Sequence, residues 1–168
     1  MPARPCLLSV CVALLATPSL AKDKAKPAPE PVACTGVFGA DSSETMLIET
    51  YGVDNVVTGQ VPGPEGITYL ATTVFPDDPQ RRMIFSWFDE EGRTGLSAME
   101  LAPRQSGPGG VRIAMTPAEV EAINGEPFTI GGFGWDYGGY AGFESGALAG
   151  ALEGGCFLSL RFSPKDEL

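Results

Sequence analysis

The sequence predicts an α+β fold on three observations. Residues 41–52 and 111–128 each carry the start and stop signals of a short helix. Each helix is followed by short stretches rich in Val, Thr and aromatic residues, which are typical of antiparallel strands. The two halves repeat this order at a spacing of about seventy residues. We therefore expect two helix-plus-antiparallel-meander repeats that form one sheet, with the short helices packed on one face.

The second of these helices has the clearest signals. Thr116 stands where an N-cap is needed, Pro117 suits the first helical position, and Glu119 completes a capping box. Gly125 can adopt the left-handed conformation that ends a helix, and Pro127 prevents its continuation. Because capping accounts for these residues, we expect the segment to be scaffold rather than a site.

The first helix follows the same logic more loosely. Asp41 or a neighbouring serine is the expected cap, Glu44 lies in the first turn, and Gly52 marks the end. The partial apolar stripe between them consists of Leu47, Ile48 and Tyr51.

Strand-like stretches are predicted in both halves. In the first half they are residues 55–58, 68–75, 82–88 and 95–101, with Trp87 in the core. In the second half they are residues 128–130, 132–137, 140–144 and 156–162. The last stretch alternates cleanly, which places Cys156, Leu158, Leu160 and Phe162 on a buried face and Phe157, Ser159 and Arg161 on the other. Residues 105–110, rich in Gly and Pro, are expected to link the halves.

The two ends of the chain carry targeting signals. Residues 1–21 have the features of a removable signal peptide, in which Arg4 precedes an apolar run too short to span a bilayer. Residues 22–33 have the composition of a disordered spacer, and we expect residues 34–168 to form a single α+β domain with halves of about 34–104 and 111–164. We expect a periplasmic or secreted protein. The C-terminal Lys-Asp-Glu-Leu keeps the endoplasmic reticulum lumen open as the alternative if the host is eukaryotic.

Charge narrows the class of partner. The formal net charge is −10, and it becomes −11 once Arg4 leaves with the signal peptide. Such a balance disfavours nucleic acid and anionic lipid and is compatible with a neutral or basic partner. No later stretch reaches the eighteen or so apolar residues that a membrane-spanning helix needs, so stable membrane insertion is not expected.

Little catalytic chemistry is available. The chain contains no histidine, which removes histidine-dependent nucleophiles and nearly every zinc or copper site. We expect no catalytic residue, no metal site and no cofactor. Carboxylates at Asp77, Asp78, residues 89–91 and Asp136 leave open a carboxylate-based hydrolase acting on an envelope glycan. Those beside Pro and Gly are more often turn formers.

Residues 133–143 combine aromatic side chains with glycines and allow two interpretations. One places Phe133, Trp135 and Tyr137 in the core, because they share one parity of a strand. The other presents flat rings to a protein or sugar partner. On this second interpretation the partner-binding residues are Trp135, Tyr137, Tyr140 and Phe143.

The helix of residues 111–128 resembles the repeat unit of the β-lactamase-inhibitor-like fold and of the small outer-membrane assembly lipoproteins related to it. In that superfamily a G-M-T-x-x-E-V start and a G-x-P end frame the helix. Here residues 114–120 read A-M-T-P-A-E-V and residues 125–127 read G-E-P, so Ala114 replaces the usual glycine. The match covers about eighteen residues closely and residues 41–52 loosely. No inhibitor contact residue carries over, because the match lies in the scaffold helix.

The resemblance implies an exported, non-enzymatic binding or inhibitor-like module of the bacterial cell envelope. Such a module recognises a protein or envelope component through a sheet face. The glycan hydrolase and an endoplasmic-reticulum resident interaction protein are the alternatives. The sequence does not predict the oligomeric state.

Export also limits the pairing of cysteines. Cys6 and Cys11 leave with the signal peptide, so Cys34 and Cys156 remain near the two ends of the mature chain. In an oxidising compartment they form the one possible pair, and two free thiols are the alternative. A bridge that closes a loop of this length stabilises a fold by roughly 4–5 kcal/mol in the chain-entropy model.

We expect the intact mass of the exported protein to be lower than that of its thiol form by two hydrogens, because Cys34 and Cys156 are both oxidised. Mass spectrometry before and after reduction checks this. The double variant Cys34→Ser, Cys156→Ser serves as the control and should show no shift on reduction. A parent mass that does not change on reduction contradicts the bridge.

Overall fold

The computed structural model describes residues 30–63, 66–135 and 138–164. Within these residues the α+β class is confirmed, with two α-helices and three small sheets. Helix α1 is Glu44–Tyr51 and helix α2 is Pro117–Asn124. The strands are β1 (Glu30–Pro31), β2 (Val56–Pro62), β3 (Thr68–Val74), β4 (Met83–Asp89), β5 (Thr94–Glu100), β6 (Gln105–Ser106), β7 (Thr129–Ile130) and β8 (Ala141–Gly142). The predicted signal peptide and the C-terminal Lys-Asp-Glu-Leu lie outside the described residues.

Both helices begin and end where the capping signals predict. The Ser43 hydroxyl accepts the Met46 N–H at 3.3 Å, and Gly52, with φ of 86°, ends α1. In α2 the Thr116 side chain accepts the Glu119 N–H, and the Glu119 carboxylate accepts the Thr116 N–H at 2.7 Å. Gly125 closes α2 in the left-handed conformation. Both helix predictions are therefore confirmed.

The first half contains the predicted antiparallel meander. Its strand order is β2-β3-β4-β5, and β2 pairs with β3 along all seven of its residues. Strand β2 is longer than predicted, because Gly59 and Pro62 interrupt the strand-like composition without breaking the pairing. Leu47 from α1 packs on one sheet face against a buried cluster of Val56, Val74, Met83, Phe85 and Trp87. Trp87 is 4% exposed, which confirms its place in the core.

A chain of polar contacts runs through this packed face. The indole N–H of Trp87 donates to the Thr72 hydroxyl at 2.9 Å, and Thr72 contacts the Thr58 hydroxyl at 2.6 Å. Thr58 donates to Glu44 at the start of α1, and Glu44 also pairs with Arg93 in the turn between β4 and β5. Because Thr72 and Trp87 are buried, each contact satisfies a group that would otherwise be costly to desolvate.

The structure does not confirm the predicted repeat. In the second half the described residues form only the two-residue strands β7 and β8, and residues 133–135 are a bend. Residues 156–162 alternate between half-buried and exposed as predicted, but among the described residues their strand-type pairing is limited to an isolated bridge between Arg161 and Tyr140. Helix α2 packs Val120 against Val111 and Leu148 in a core of its own. Glycines with positive φ, which interrupt regular strands, account for the difference.

The side chain of Asn124, at the end of α2, bonds to backbone groups of several loops in this half, where regular strand pairing is short. Its side-chain amide donates to the carbonyls of Glu126 at 2.7 Å and Ser145 at 2.9 Å, and its side-chain oxygen accepts the Leu148 N–H at 2.9 Å. The side chain is 2% exposed, so these bonds are made away from water. They fix the loop that covers Val120.

Two segments predicted to be irregular instead pair with each other. Glu30–Pro31 belongs to the expected spacer and Gln105–Ser106 to the expected linker, yet β1 and β6 form a parallel pair. Arg104 and Glu30 add an ion pair at 3.1 Å, and Gln105 is buried. Residues 30–31 of the expected spacer thus form a strand, because pairing between distant segments overrides the local composition.

The predicted disulfide joins Cys34 to Cys156 across a sequence separation of 122, with the Cα atoms 5.8 Å apart. It links the start of the first half to the last segment of the second. Near α2, Ala114 has φ of 70°, the left-handed region that glycine adopts without strain. This is the position where the family motif described above has glycine.

We expect Thr72→Val to lower the free energy of unfolding by about 1–3 kcal/mol, because the buried Trp87 N–H loses its acceptor. Thr73→Val changes the same atoms on the opposite face of β3 and is the matched control. Chemical denaturation of both variants measures the difference. Equal stability of the two variants contradicts a structural role for the polar contacts.

The capping box of α2 predicts a pH dependence. Hydrogen bonds from the Thr116 N–H and hydroxyl lower the pKa of the Glu119 carboxyl below its ordinary value. The ionised carboxylate therefore stabilises the fold at pH values above that ordinary pKa, and the contribution is lost as the pH falls through the lowered pKa. We expect the stability difference between the parent and Glu119→Gln to shrink from pH 7 to pH 3. A pH-independent difference contradicts the assignment.

Candidate functional site

Three of the exposed aromatic side chains in the second half, Phe133, Trp135 and Tyr140, form what we call the aromatic surface. Phe133 is 52% exposed, Trp135 59% and Tyr140 43%. The core interpretation is therefore wrong for Phe133 and Trp135, because residues 133–135 bend and strand parity does not apply to them. Exposed rings of this size are informative, since soluble proteins rarely leave several large apolar groups together in water.

Only part of the predicted binding set belongs to this surface. Trp135 and Tyr140 are on it, whereas Tyr137 and Asp136 lie outside the described residues. Phe143 is half-buried, and its ring centroid lies 4.9 Å from that of Phe128 in the core beneath α2. The structure therefore places Phe143 with the packing residues.

The backbone beneath the aromatic surface is held by hydrogen bonds between three segments. Gly131 donates to the Tyr140 carbonyl at 2.9 Å, Gly139 donates to the Gly131 carbonyl at 3.0 Å, and Phe162 donates to the Gly139 carbonyl at 2.8 Å. A Cβ atom at Gly139, which has φ of 84°, would overlap the Phe162 carbonyl. The glycine is thus required for this close approach.

Arg161 adds a cation to the surface, and sequence reasoning did not select it. Its Nε donates to the Gly138 carbonyl at 2.9 Å, and its guanidinium carbon lies 5.4 Å from the centre of the Tyr140 ring. This distance is within the range of a cation–π interaction. The signal that could have found it is the alternation of residues 156–162, which puts Arg161 on the exposed face.

A cleft of about 270 Å³ runs along the aromatic surface. Phe133, Trp135 and residues 161–164 are among the residues that line it. The indole N–H of Trp135 donates to the Gly132 carbonyl at 2.6 Å, which orients the ring. No carboxylate is among the described residues that line the cleft, so these residues do not supply the pair of acids that glycoside hydrolysis needs.

Two of the acidic loops are explained by turn geometry. Asp78 accepts the Gln80 N–H at 2.9 Å, and Asp89 accepts the Gly92 N–H at 2.9 Å. These are the local bonds by which aspartate stabilises turns. The described residues contain no cluster of three or more side chains suited to holding a metal ion.

Comparisons with other proteins do not assign the chain to a family. The chain matches no protein-family model, no curated protein and no solved structure. None of the helices in the described part of the chain has the length and hydropathy to cross a membrane.

Proposed function

We propose that this protein is an exported, non-enzymatic binding module of the bacterial cell envelope. It recognises a protein or another envelope component through the aromatic surface. The observation that carries the proposal is the exposure of Phe133, Trp135 and Tyr140. Phe133 and Trp135 line one cleft, and Tyr140 lies against Arg161, which lines the same cleft. Aromatic and arginine side chains dominate binding energy at protein interfaces, and Arg161 lies at the same place.

The way in which the rings are held supports binding. Hydrogen bonds fix the backbone of residues 131 and 138–140, and Trp135 is anchored through its indole N–H. A surface that is already ordered loses less conformational entropy when a partner binds. Exposed rings on such a backbone therefore suit recognition better than a loop that must first become ordered.

The net charge and the disulfide support the proposed class of partner and the proposed location. The chain has a formal net charge of −10, which favours a neutral or basic partner over nucleic acid. The Cys34–Cys156 disulfide is the kind of bond that persists in an oxidising compartment, which supports a periplasmic or secreted location. The helix motif at residues 114–127 supports an inhibitor-like relationship, and left-handed Ala114 stands at the glycine position of that motif.

The test is capture of a partner from an envelope extract of the source cell by the purified chain. We expect Trp135→Ala and Tyr140→Ala each to weaken capture by about ten-fold or more, since loss of an interface hot spot costs about 2 kcal/mol. Phe157→Ala is the control, because Phe157 is 74% exposed but belongs neither to the aromatic surface nor to the cleft lining. Binding should also shift the fluorescence of Trp135, the more exposed of the two tryptophans.

Folding is measured on the same variants by circular dichroism and thermal unfolding. The proposal requires that the Trp135 and Tyr140 variants unfold at nearly the parent temperature. Loss of capture that merely follows loss of stability contradicts it, as does full capture by both variants.

A further inference from the structure

Strand β2 forms one edge of the four-stranded sheet, and the direction of its free hydrogen-bonding groups can be derived. Phe75 donates to the Asn55 carbonyl at 2.8 Å, and Gly63 donates to the Ile67 carbonyl at 2.7 Å. These bonds lie just beyond the two ends of the β2–β3 ladder. Because bonding alternates along an antiparallel strand, the odd-numbered residues of β2 bond to β3. The even-numbered residues therefore direct their N–H and C=O groups outward.

The outward side of β2 is open in the described part of the chain. The Val56 N–H donates to the Val53 carbonyl. No backbone hydrogen bond among the described residues uses the N–H of Thr58 or Gln60 on this side. These two residues thus present two N–H donors and two C=O acceptors with the spacing of an unpaired edge strand.

The opposite edge of the same sheet is covered. Gly95 and Leu96 of β5 donate to the carbonyls of Ser42 and Ala40, each at 3.0 Å. A register shift between Ser86 and Trp87 interrupts the β4–β5 ladder, and Glu100 ends the strand with a charge. Cover, irregularity and charge are the usual protections of a sheet edge. Pro62 and the bonded Val56 N–H limit one end each of β2, but Thr58 and Gln60 between them lack the backbone cover that this same sheet has on its other side.

Strand β2 is also uncharged in a strongly acidic chain. Its sequence V-V-T-G-Q-V-P contains no ionisable side chain, whereas the whole chain has a net charge of −10. Val57 is 52% exposed, and Val53 and Ile67 at the two ends of the strand are 65% and 59% exposed. Two acidic molecules repel each other over most of their surfaces, so a neutral, apolar edge is where self-association meets the least electrostatic cost.

We propose that β2 pairs antiparallel with β2 of a second copy of this chain, about a two-fold axis at Gly59. This register overlaps all seven residues of the strand. Thr58 lies opposite Gln60 of the second copy, and the two equivalent pairs form four backbone hydrogen bonds. Val57 lies opposite Val61 of the second copy on one face, where apolar cross-strand pairs are favourable. The result is a continuous eight-stranded sheet with both α1 helices on the same side.

Gln60→Pro tests the pairing without disturbing the monomer, because proline removes an N–H that points away from β3. Gln60→Ala keeps that N–H and is the matched control. By sedimentation equilibrium of the full chain we expect the parent and Gln60→Ala to associate to dimers as concentration rises. Gln60→Pro should raise the dimer dissociation constant at least ten-fold, with its thermal unfolding unchanged. A parent that stays monomeric, or dimerisation unaffected by Gln60→Pro, overturns the proposal.

A charge placed on the strand provides a second test. Val57→Lys brings a cation onto each copy at the pairing edge, and Ile113→Lys makes a similar change at a side chain that is 53% exposed in the other half. We expect only Val57→Lys to weaken the dimer. Equal effects of the two variants contradict an interface at β2.

The register is tested by cross-linking. Gly59 has open space where a Cβ atom would stand, and at the two-fold axis two Cα atoms come within about 4.5 Å. Gly59→Cys should therefore form a covalent dimer that reductant separates. In the same register the two copies of Val57 lie about 13 Å apart, so Val57→Cys should not cross-link. Equally efficient cross-linking at position 57 rules out this register.

Discussion

The Cys34–Cys156 disulfide is the constraint on which the whole fold depends most. The described residues contain three separate clusters of buried apolar side chains. One lies between α1 and the four-stranded sheet, one on the other face of that sheet and one beneath α2. Each core is small, and small cores supply limited stability by themselves. A covalent bond between residues 122 positions apart removes a large part of the entropy of the unfolded chain. The short β1–β6 pair adds a second long-range connection, between residues 30–31 and the segment that joins the two halves.

The two halves of the chain satisfy their polar groups and hold their interiors together in different ways. The first half buries a row of polar contacts from Trp87 to Glu44 beneath a helix and satisfies them within a regular sheet. The second half has little regular sheet, and hydrogen bonds from the Asn124 side chain to backbone groups hold its loops together. This difference has a functional consequence: the irregular half can expose Trp135 and Tyr140 on a fixed backbone, whereas a packed meander would bury alternate rings.

The aromatic surface and the edge of β2 are two distinct surfaces with distinct physical character. The first consists of rings and a guanidinium beside a cleft, and its specificity rests on side chains. The second consists of backbone donors and acceptors on an uncharged strand. They lie in different halves of the chain. A partner on the aromatic surface and a second copy on β2 would therefore contact different residues.

Local signals were enough to predict much of this structure. The caps at Thr116 and Gly125 define α2, because capping depends on residues within one turn of each other. Strands β3 to β5 follow from their composition, and the disulfide follows because two cysteines remain after the predicted signal peptide. Trp87 is buried as its strand pattern indicates.

Other features depend on contacts between segments that are far apart in the chain, and only the tertiary structure shows them. Glu30–Pro31 becomes a strand because Gln105–Ser106 lies beside it, and no signal in the local composition records that pairing. Phe133 and Trp135 are exposed because glycines bend the chain where strand parity would bury them. Arg161 reaches Tyr140 only because its segment crosses residues 138–140. The sequence alone determined the helices, the first sheet and the covalent bridge, since these rest on short-range rules or on elimination. The contacts between segments far apart in the chain determined which rings face water.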